Sequence, residues 1–144
     1  MIHADESVVV RTTARFLVPF LQVFALYVIV HGHESPGGGF QGGAILGASL
    51  ILTRLSQGRG IRRPFPSGDG PIRLGAFGVL LYGSIGLLPV LRGAPFLDYA
   101  RLPWFAAHEP ELRALGILGV EIGVAAAVCG VMVSIFEDLA PKET

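Results

Sequence analysis

The chain has 144 residues and no net charge, with 51% hydrophobic but only 15% charged residues. Soluble domains carry about 25% charged residues, so this composition excludes an ordinary soluble domain and favours helices packed in a lipid bilayer. The neutral balance argues against a nucleic-acid partner. The single cysteine, Cys129, allows no intrachain disulfide and cannot by itself ligate an iron–sulfur cluster, and we expect no cofactor.

Four apolar stretches are long enough, or nearly so, to cross a bilayer core, which takes roughly 17–25 helical residues. The predicted helices cover approximately residues 14–31, 37–55, 73–91 and 115–136 of one integral membrane domain, 1–144. The first stretch follows two arginines, as the apolar core of a signal peptide would. It lacks a small-residue cleavage site, however, and three further apolar stretches follow it. The sequence therefore predicts an all-α membrane protein with four transmembrane helices.

Positive charge is distributed unevenly between the predicted loops. If the N-terminus is inside, eight Lys and Arg residues lie in the inner segments and three in the outer ones. The inner residues are Arg11, Arg15, Arg54, Arg59, Arg62, Arg63, Arg73 and Lys142, and the outer residues are Arg92, Arg101 and Arg113. The positive-inside rule then predicts that both termini are inside. In this topology the glycine-rich connection that enters the second helix is external.

That connection is the most distinctive stretch of the chain. Pro36 disfavours helical geometry at Ser35, and the glycines that follow loosen the backbone before the second helix. Within the helix, Gly39, Gly43 and Gly47 recur every four residues. Small residues at this spacing share one face and let two helix backbones approach closely in lipid, so we predict that these glycines pack against another helix.

Two ligand-binding interpretations of this connection compete with a structural one. The glycines lack a Walker-type sequence and a strand–GxGxxG–helix context, which argues against a nucleotide site. His31, His33 and Glu34 could ligate a metal, but hydrogen bonds that fix the loop explain the same residues. We therefore expect no metal site.

Glu121 is the charged residue deepest in a predicted span. A carboxylate at such a depth costs about 2–4 kcal/mol on insertion scales, so it must face protein or water, or stay protonated. Gly119 and Gly123 form a second packing stripe, about 200° around the helix from the acid. We expect Glu121 to point away from that stripe, towards a polar cavity or a partner. A proton or ion role and a single interhelical hydrogen bond both remain open. The candidate partners for such a bond are Gln22, Tyr82 and Ser84.

Two sequence patterns resemble those of a known family. The run Gly32-His33-Glu34-Ser35-Pro36-Gly37-Gly38-Gly39-Phe40-Gln41-Gly42-Gly43 resembles the GHxxPGGGFxGG signature of the B subunit of Mrp (Mnh) multisubunit Na⁺/H⁺ antiporters. Glu121-Ile122-Gly123-Val124, followed by Val128 and Gly130, is similar to a pattern in the last helix of that family. The family often has Asp at the position of Glu121, so the carboxyl group here reaches one methylene further.

The resemblance implies a small subunit, without a cofactor of its own, of an antiporter that exchanges Na⁺ and H⁺ across a bacterial or archaeal inner membrane. The implied partners are large complex I-like subunits and other small membrane subunits. In such an assembly we expect Glu121 to relay protons or a cation, and His33 to shape the ion path or to fix its loop. The chain would then be a transporter subunit, not an enzyme. One alternative is a membrane-arm subunit of a related hydrogenase or respiratory complex, within a redox-driven translocase. Another is a purely structural subunit.

Overall fold

The computed structural model describes residues 8–32, 38–57, 69–102 and 109–140. Four α-helices follow one another in this part of the chain: α1 (Val8–Val30), α2 (Gly38–Gln57), α3 (Gly70–Val90) and α4 (Glu109–Leu139). A short 3₁₀ helix, Tyr99–Arg101, precedes α4. The described part of the chain is therefore all-α, as the sequence predicts.

The helices are longer than the apolar stretches that locate them. α1 begins at Val8 instead of residue 14, and α4 runs from Glu109 to Leu139 instead of from 115 to 136. Backbone hydrogen bonds continue a helix through polar residues such as Arg11 and Glu111, where an apolar run stops. The 31 residues of α4 extend about 46 Å, more than a bilayer core of about 30 Å, so α4 must tilt or project from it.

Among the described residues, three helices are long and apolar enough to cross a membrane. They are α1, α3 and the Pro110–Leu139 part of α4. α2 has 20 residues, but its glycines and polar side chains lower its mean hydropathy below that of the other helices. Length and composition thus identify three of the four helices as candidate membrane spans, whereas the sequence analysis predicted four transmembrane helices.

α4 lies in the middle of the helix arrangement. α1 packs on α2, α2 packs on α4, and α3 packs on the other side of α4, which gives the order α1–α2–α4–α3. Gly39 faces Glu121 and Gly43 faces Ala125, so α2 and α4 are parallel. The other neighbouring pairs, α1 with α2 and α3 with α4, are antiparallel, because their contacts run in opposite chain directions. The start of α1 and the end of α4 therefore lie on the same side.

Small side chains fill the interior, and large apolar ones cover the outside. Ala25, Ala125 and Cys129 are buried between helices. Phe16 on α1 and Leu80 on α3 are 70% and 69% exposed, and many other large apolar residues of these two helices are also exposed. Such a surface is stable only against lipid or against apolar helices of other subunits.

Candidate functional site

Glu121 lies where the end of α1, the start of α2 and the middle of α4 meet. A side chain at Gly32 would collide with the carboxylate of Glu121. A methyl group built at Gly38 would lie 3.1 Å from Glu121 Oε1 and would collide with the Cα of Gly32. Only glycines allow the carboxylate and the two chain segments to come this close, and Oε2 of Glu121 is buried there. The two glycines flank residues 33–37, so the acid lies beside both ends of the connection between α1 and α2.

The carboxylate also lies at the amino-terminal end of α2, which begins at Gly38. The first N–H groups of a helix have no acceptor within the helix, and the helix dipole places partial positive charge at this end. Both effects stabilise a nearby negative charge, by up to ~2 kcal/mol in partly buried sites. The position can therefore hold an ionised carboxylate in apolar surroundings, and a proton or a cation can neutralise it.

The glycines predicted as packing positions on α2 lie directly against α4. A methyl group built at Gly39 would be 2.6 Å from the carbonyl oxygen of Glu121, and one at Gly43 would be 2.6 Å from that of Ala125. At Gly47 it would be 3.3 Å from Cβ of Met132 and 3.5 Å from Cα of Cys129. We call this contact the α2–α4 seam: Gly39, Gly43 and Gly47 against Glu121, Ala125 and Cys129. The backbone of Glu121 is thus packed on α2, on the side of α4 away from Gly119 and Gly123.

The second predicted stripe faces the opposite neighbour. A methyl group built at Gly119 would lie 2.7 Å from Cδ1 of Ile85, and one at Gly123 would lie 3.0 Å from the carbonyl oxygen of Gly78. Ile85 and Gly78 both belong to α3. α4 is therefore held closely on two faces, with α3 on the glycine side and α2 on the Glu121 side.

Ser84, one of the candidate hydrogen-bond partners of Glu121, forms a hydrogen bond within its own helix. The hydroxyl of Ser84 donates to the carbonyl oxygen of Leu80 in its own helix, at 2.6 Å. His31 lies just before the site, its Nδ1 3.1 Å from the carbonyl oxygen of Tyr27 and its ring stacked on the tyrosine. His33 and Glu34 lie outside the described residues, which contain no group of three or more potential metal-ligating His, Cys, Asp and Glu side chains.

Tyr99 belongs to the electrostatic surroundings of Glu121. Its ring packs on Gly116, where a methyl group would lie 2.5 Å from Cδ1 of the ring. Burial raises the pKa of the Tyr99 hydroxyl above 10.0, and the charges of Tyr82 and Glu121 raise it further. The connection before α4 therefore places a titratable phenol near the acid.

Arg54 and Glu137 form an ion pair at the opposite end of the α2–α4 seam. Nη2 of Arg54 is 3.6 Å from Oε1 of Glu137, and the two side chains are only 24% and 12% exposed. Sequence reasoning missed this pair, because charged residues near helix ends usually face water and nothing in the pattern distinguishes these two.

Comparison with known proteins identifies the family. Residues 9–134 match the family model described as a domain related to the MnhB subunit of Na⁺/H⁺ antiporters. The chain belongs to the MnhB family. This match covers both signature segments and nearly all of the four helices, and it confirms the resemblance found in the sequence.

Similar proteins include the antiporter subunits named mnhB2 of Staphylococcus aureus strains Newman and JH1. Each is 30% identical to the chain over 136 residues, which cover 94% of this chain and 95% of the relative. A chain in the structure of the membrane-bound sulfane sulfur reductase, an archaeal respiratory membrane complex, is 27% identical with a TM-score of 0.58. That match covers 91% of this chain but only 58% of the larger one. The MnhB-family chain is thus a multi-pass membrane protein with the role of a transporter subunit, not of an enzyme.

Proposed function

We propose that this MnhB-family chain is a subunit of a multisubunit Na⁺/H⁺ antiporter in a bacterial or archaeal cell membrane, and that Glu121 contributes to its proton or cation path. The observation that supports this role is the position of the carboxylate against Gly32 and Gly38, at the start of α2. An acid inside a membrane is costly, and acids at such positions commonly bind or transfer charge. The family match extends over both segments that form this position.

The proposed topology has four membrane spans with both termini inside. α2 is the span that composition does not identify. It runs parallel to α4 from the level of Glu121 to that of Glu137, with about 22 Å between Gly39 and Arg54, and so crosses most of the same layer. Glycines that allow close packing on α4 take the place of larger apolar residues, and this lowers the mean hydropathy of α2. The arginine-rich loops then face the cytoplasm.

The chain is proposed to act only together with other subunits. Glu121 is the one acid deep within a proposed span, and a complete relay needs several groups. Large complex I-like subunits and other small subunits would supply them, and would cover part of the exposed apolar surface of α1 and α3. His33, the residue after Gly32, is proposed to shape the outer end of the path or to fix the loop.

The test is Glu121→Gln in the complete complex, which removes the charge and nearly preserves the shape. Everted membrane vesicles report Na⁺-dependent dissipation of a pH gradient, and co-purification of the other subunits reports assembly. We expect antiport to be lost while assembly persists. Glu111→Gln is the matched control, because Glu111 is an exposed acid on the same helix. Wild-type antiport in Glu121→Gln would refute the role of this acid.

The same two measurements, made on Glu121→Gln and on Gly43→Leu, distinguish a purely structural subunit from one on the ion path. If Glu121→Gln is silent while Gly43→Leu prevents assembly, the chain only holds larger subunits together. The contact of Gly43 with the backbone of α4 makes this outcome a specific alternative, because leucine cannot fit there.

A second candidate function is a subunit of the membrane arm of a redox-driven complex. The similarity to a chain of an archaeal respiratory membrane complex favours it. The test is to tag the C-terminus, extract native membranes in mild detergent and identify co-purifying proteins by mass spectrometry. Antiporter-like subunits alone support the first proposal. Iron–sulfur subunits in the same particle would place Glu121 in a redox-driven pump instead.

A further inference from the structure

The α2–α4 seam has the same repeat on both helices, which makes its register ambiguous. Its glycines recur every four residues on α2, and the positions that face them recur every four residues on α4. A four-residue shift, about 6 Å along the helix, would again place glycines opposite small side chains, for example Gly43 opposite Cys129. Contacts between small residues therefore do not select one register.

The hydroxyl groups of α2 do not select the register either. Ser49 donates to the carbonyl oxygen of Leu46 at 2.7 Å, Thr53 to that of Ser49 at 2.9 Å, and Ser56 to that of Thr53 at 3.2 Å. All of these acceptors lie in α2 itself. The hydroxyls are satisfied within their own helix, and so these bonds would survive a shift of α4.

The Arg54–Glu137 ion pair does depend on the register. Glu121 follows Gly39 by 82 positions and Glu137 follows Arg54 by 83, so the pair continues the alignment of the seam. A four-residue shift in one direction would bring Glu137 level with Leu50. The opposite shift would bring Arg54 level with Val133, a residue that is 1% exposed. Either shift separates two largely buried charges, and a buried charge without its counter-charge is strongly unfavourable.

We propose that the Arg54–Glu137 pair fixes the register of α4 on α2 and thereby places Glu121 against Gly32 and Gly38. Arg54 and Glu137 are positioning residues, since Glu137 is about 24 Å along α4 from Glu121. The register itself does not depend on the function of Glu121. Only the effect on transport rests on the proposed antiport role.

Disulfide cross-linking within the complete complex, in native membranes, measures the register. Gly47→Cys lies next to the native Cys129 in the observed register, with Cβ of residue 47 at 3.5 Å from Cα of Cys129. In a Cys129→Ala background, Ala125→Cys and Val133→Cys each pair with Gly47→Cys only after a four-residue shift. Copper–phenanthroline and oxygen oxidise the two thiols to the disulfide.

The pair is then broken and restored in these reporter backgrounds. With the native pair, we expect the cross-link to residue 129 and none to residues 125 or 133. Arg54→Ala should diminish the native cross-link and produce a shifted one, and the exchange Arg54→Glu with Glu137→Arg should restore the native pattern. Arg73→Ala is the control, since it breaks an exposed ion pair with Asp69 within α3.

An unchanged cross-link pattern in Arg54→Ala would overturn the proposal. If Arg54→Ala does not accumulate in the membrane, the exchange variant decides: a native cross-link supports the proposal, and a shifted cross-link or absent protein overturns it. Antiport is measured in the same membranes without the added cysteines. A shifted register with normal antiport would support the role of the ion pair in fixing the register. It would refute the importance of that register for the function of Glu121.

Discussion

A methyl group at Gly43 tests how closely α2 and α4 approach. Built on the observed backbone, it lies 2.6 Å from the carbonyl oxygen and 2.7 Å from the Cα of Ala125, whereas ordinary contact begins near 3.4 Å. Backbone cannot rotate away, so the helices must separate by roughly 1 Å, an overpacking that costs typically 1–3 kcal/mol. Alanine regains about 1 kcal/mol of helix propensity, so Gly43→Ala should destabilise by about 2 kcal/mol at most.

Two other glycines provide a graded comparison. At Gly47 the nearest atoms are Cβ and Sδ of the Met132 side chain, at 3.3 and 3.4 Å, so Gly47→Ala requires only a small adjustment. At Gly83 nothing lies within 4 Å, so Gly83→Ala should be neutral or stabilising, by up to about 1 kcal/mol.

The assay is the temperature at which half of the purified complex loses this subunit, with antiport measured on the same preparations. We expect Gly43→Ala to be the least stable, Gly47→Ala to be close to the native protein, and Gly83→Ala to be at least as stable as it. If Gly43→Ala is as stable as Gly83→Ala, α2 and α4 do not pack at the backbone distance described above.

Four further outcomes follow from other parts of the structure. Gly32→Ala should reduce antiport more than assembly, because the new methyl group meets the movable carboxylate of Glu121 and not a backbone; equal losses in both measurements would contradict this. Because burial raises the pKa of Tyr99 in the folded protein, the contribution of Tyr99 to stability should be constant below pH 10.0 and should fall as the pH rises through the higher folded value. Tyr99→Phe should lessen that alkaline loss of stability in a pH-dependent melting series. Glu121→Gln should lower the Tyr99 pKa, measured by the ultraviolet absorbance of tyrosinate, since it removes one of the charges that raise it. Arg73→Ala should change stability by less than about 1 kcal/mol, because its ion pair with Asp69 is exposed, and a larger shift in melting temperature would argue against that exposure.

Local patterns in the sequence were sufficient to locate the helices and the acid. Apolar runs marked where each helix lies, because the bilayer requires apolar side chains over a defined length. They did not mark the helix ends, since hydrogen bonds continue through Arg11 and Glu111. The spacing of Gly119 and Gly123 from Glu121 also identified opposite faces of α4, because an α-helix has a fixed angular repeat.

The partners of those faces were decided only by the tertiary structure. A glycine stripe fits any other close-packing stripe, so spacing alone could not show that Gly39 and Gly43 meet α4 while Gly119 meets α3. The position of Glu121 beside Gly32, Gly38 and the start of α2 depends on how three helices meet, and no single segment contains that information.

The contrast is greatest at the far end of the α2–α4 seam. By itself the sequence determined a bundle of membrane helices with one deep acid and several glycine faces, because hydropathy and helical periodicity are properties of each segment alone. Only the tertiary structure showed that Arg54 and Glu137, 83 positions apart, form an ion pair between α2 and α4. Pairing across helices depends on order, direction and register, and these are set by the packing of the whole bundle.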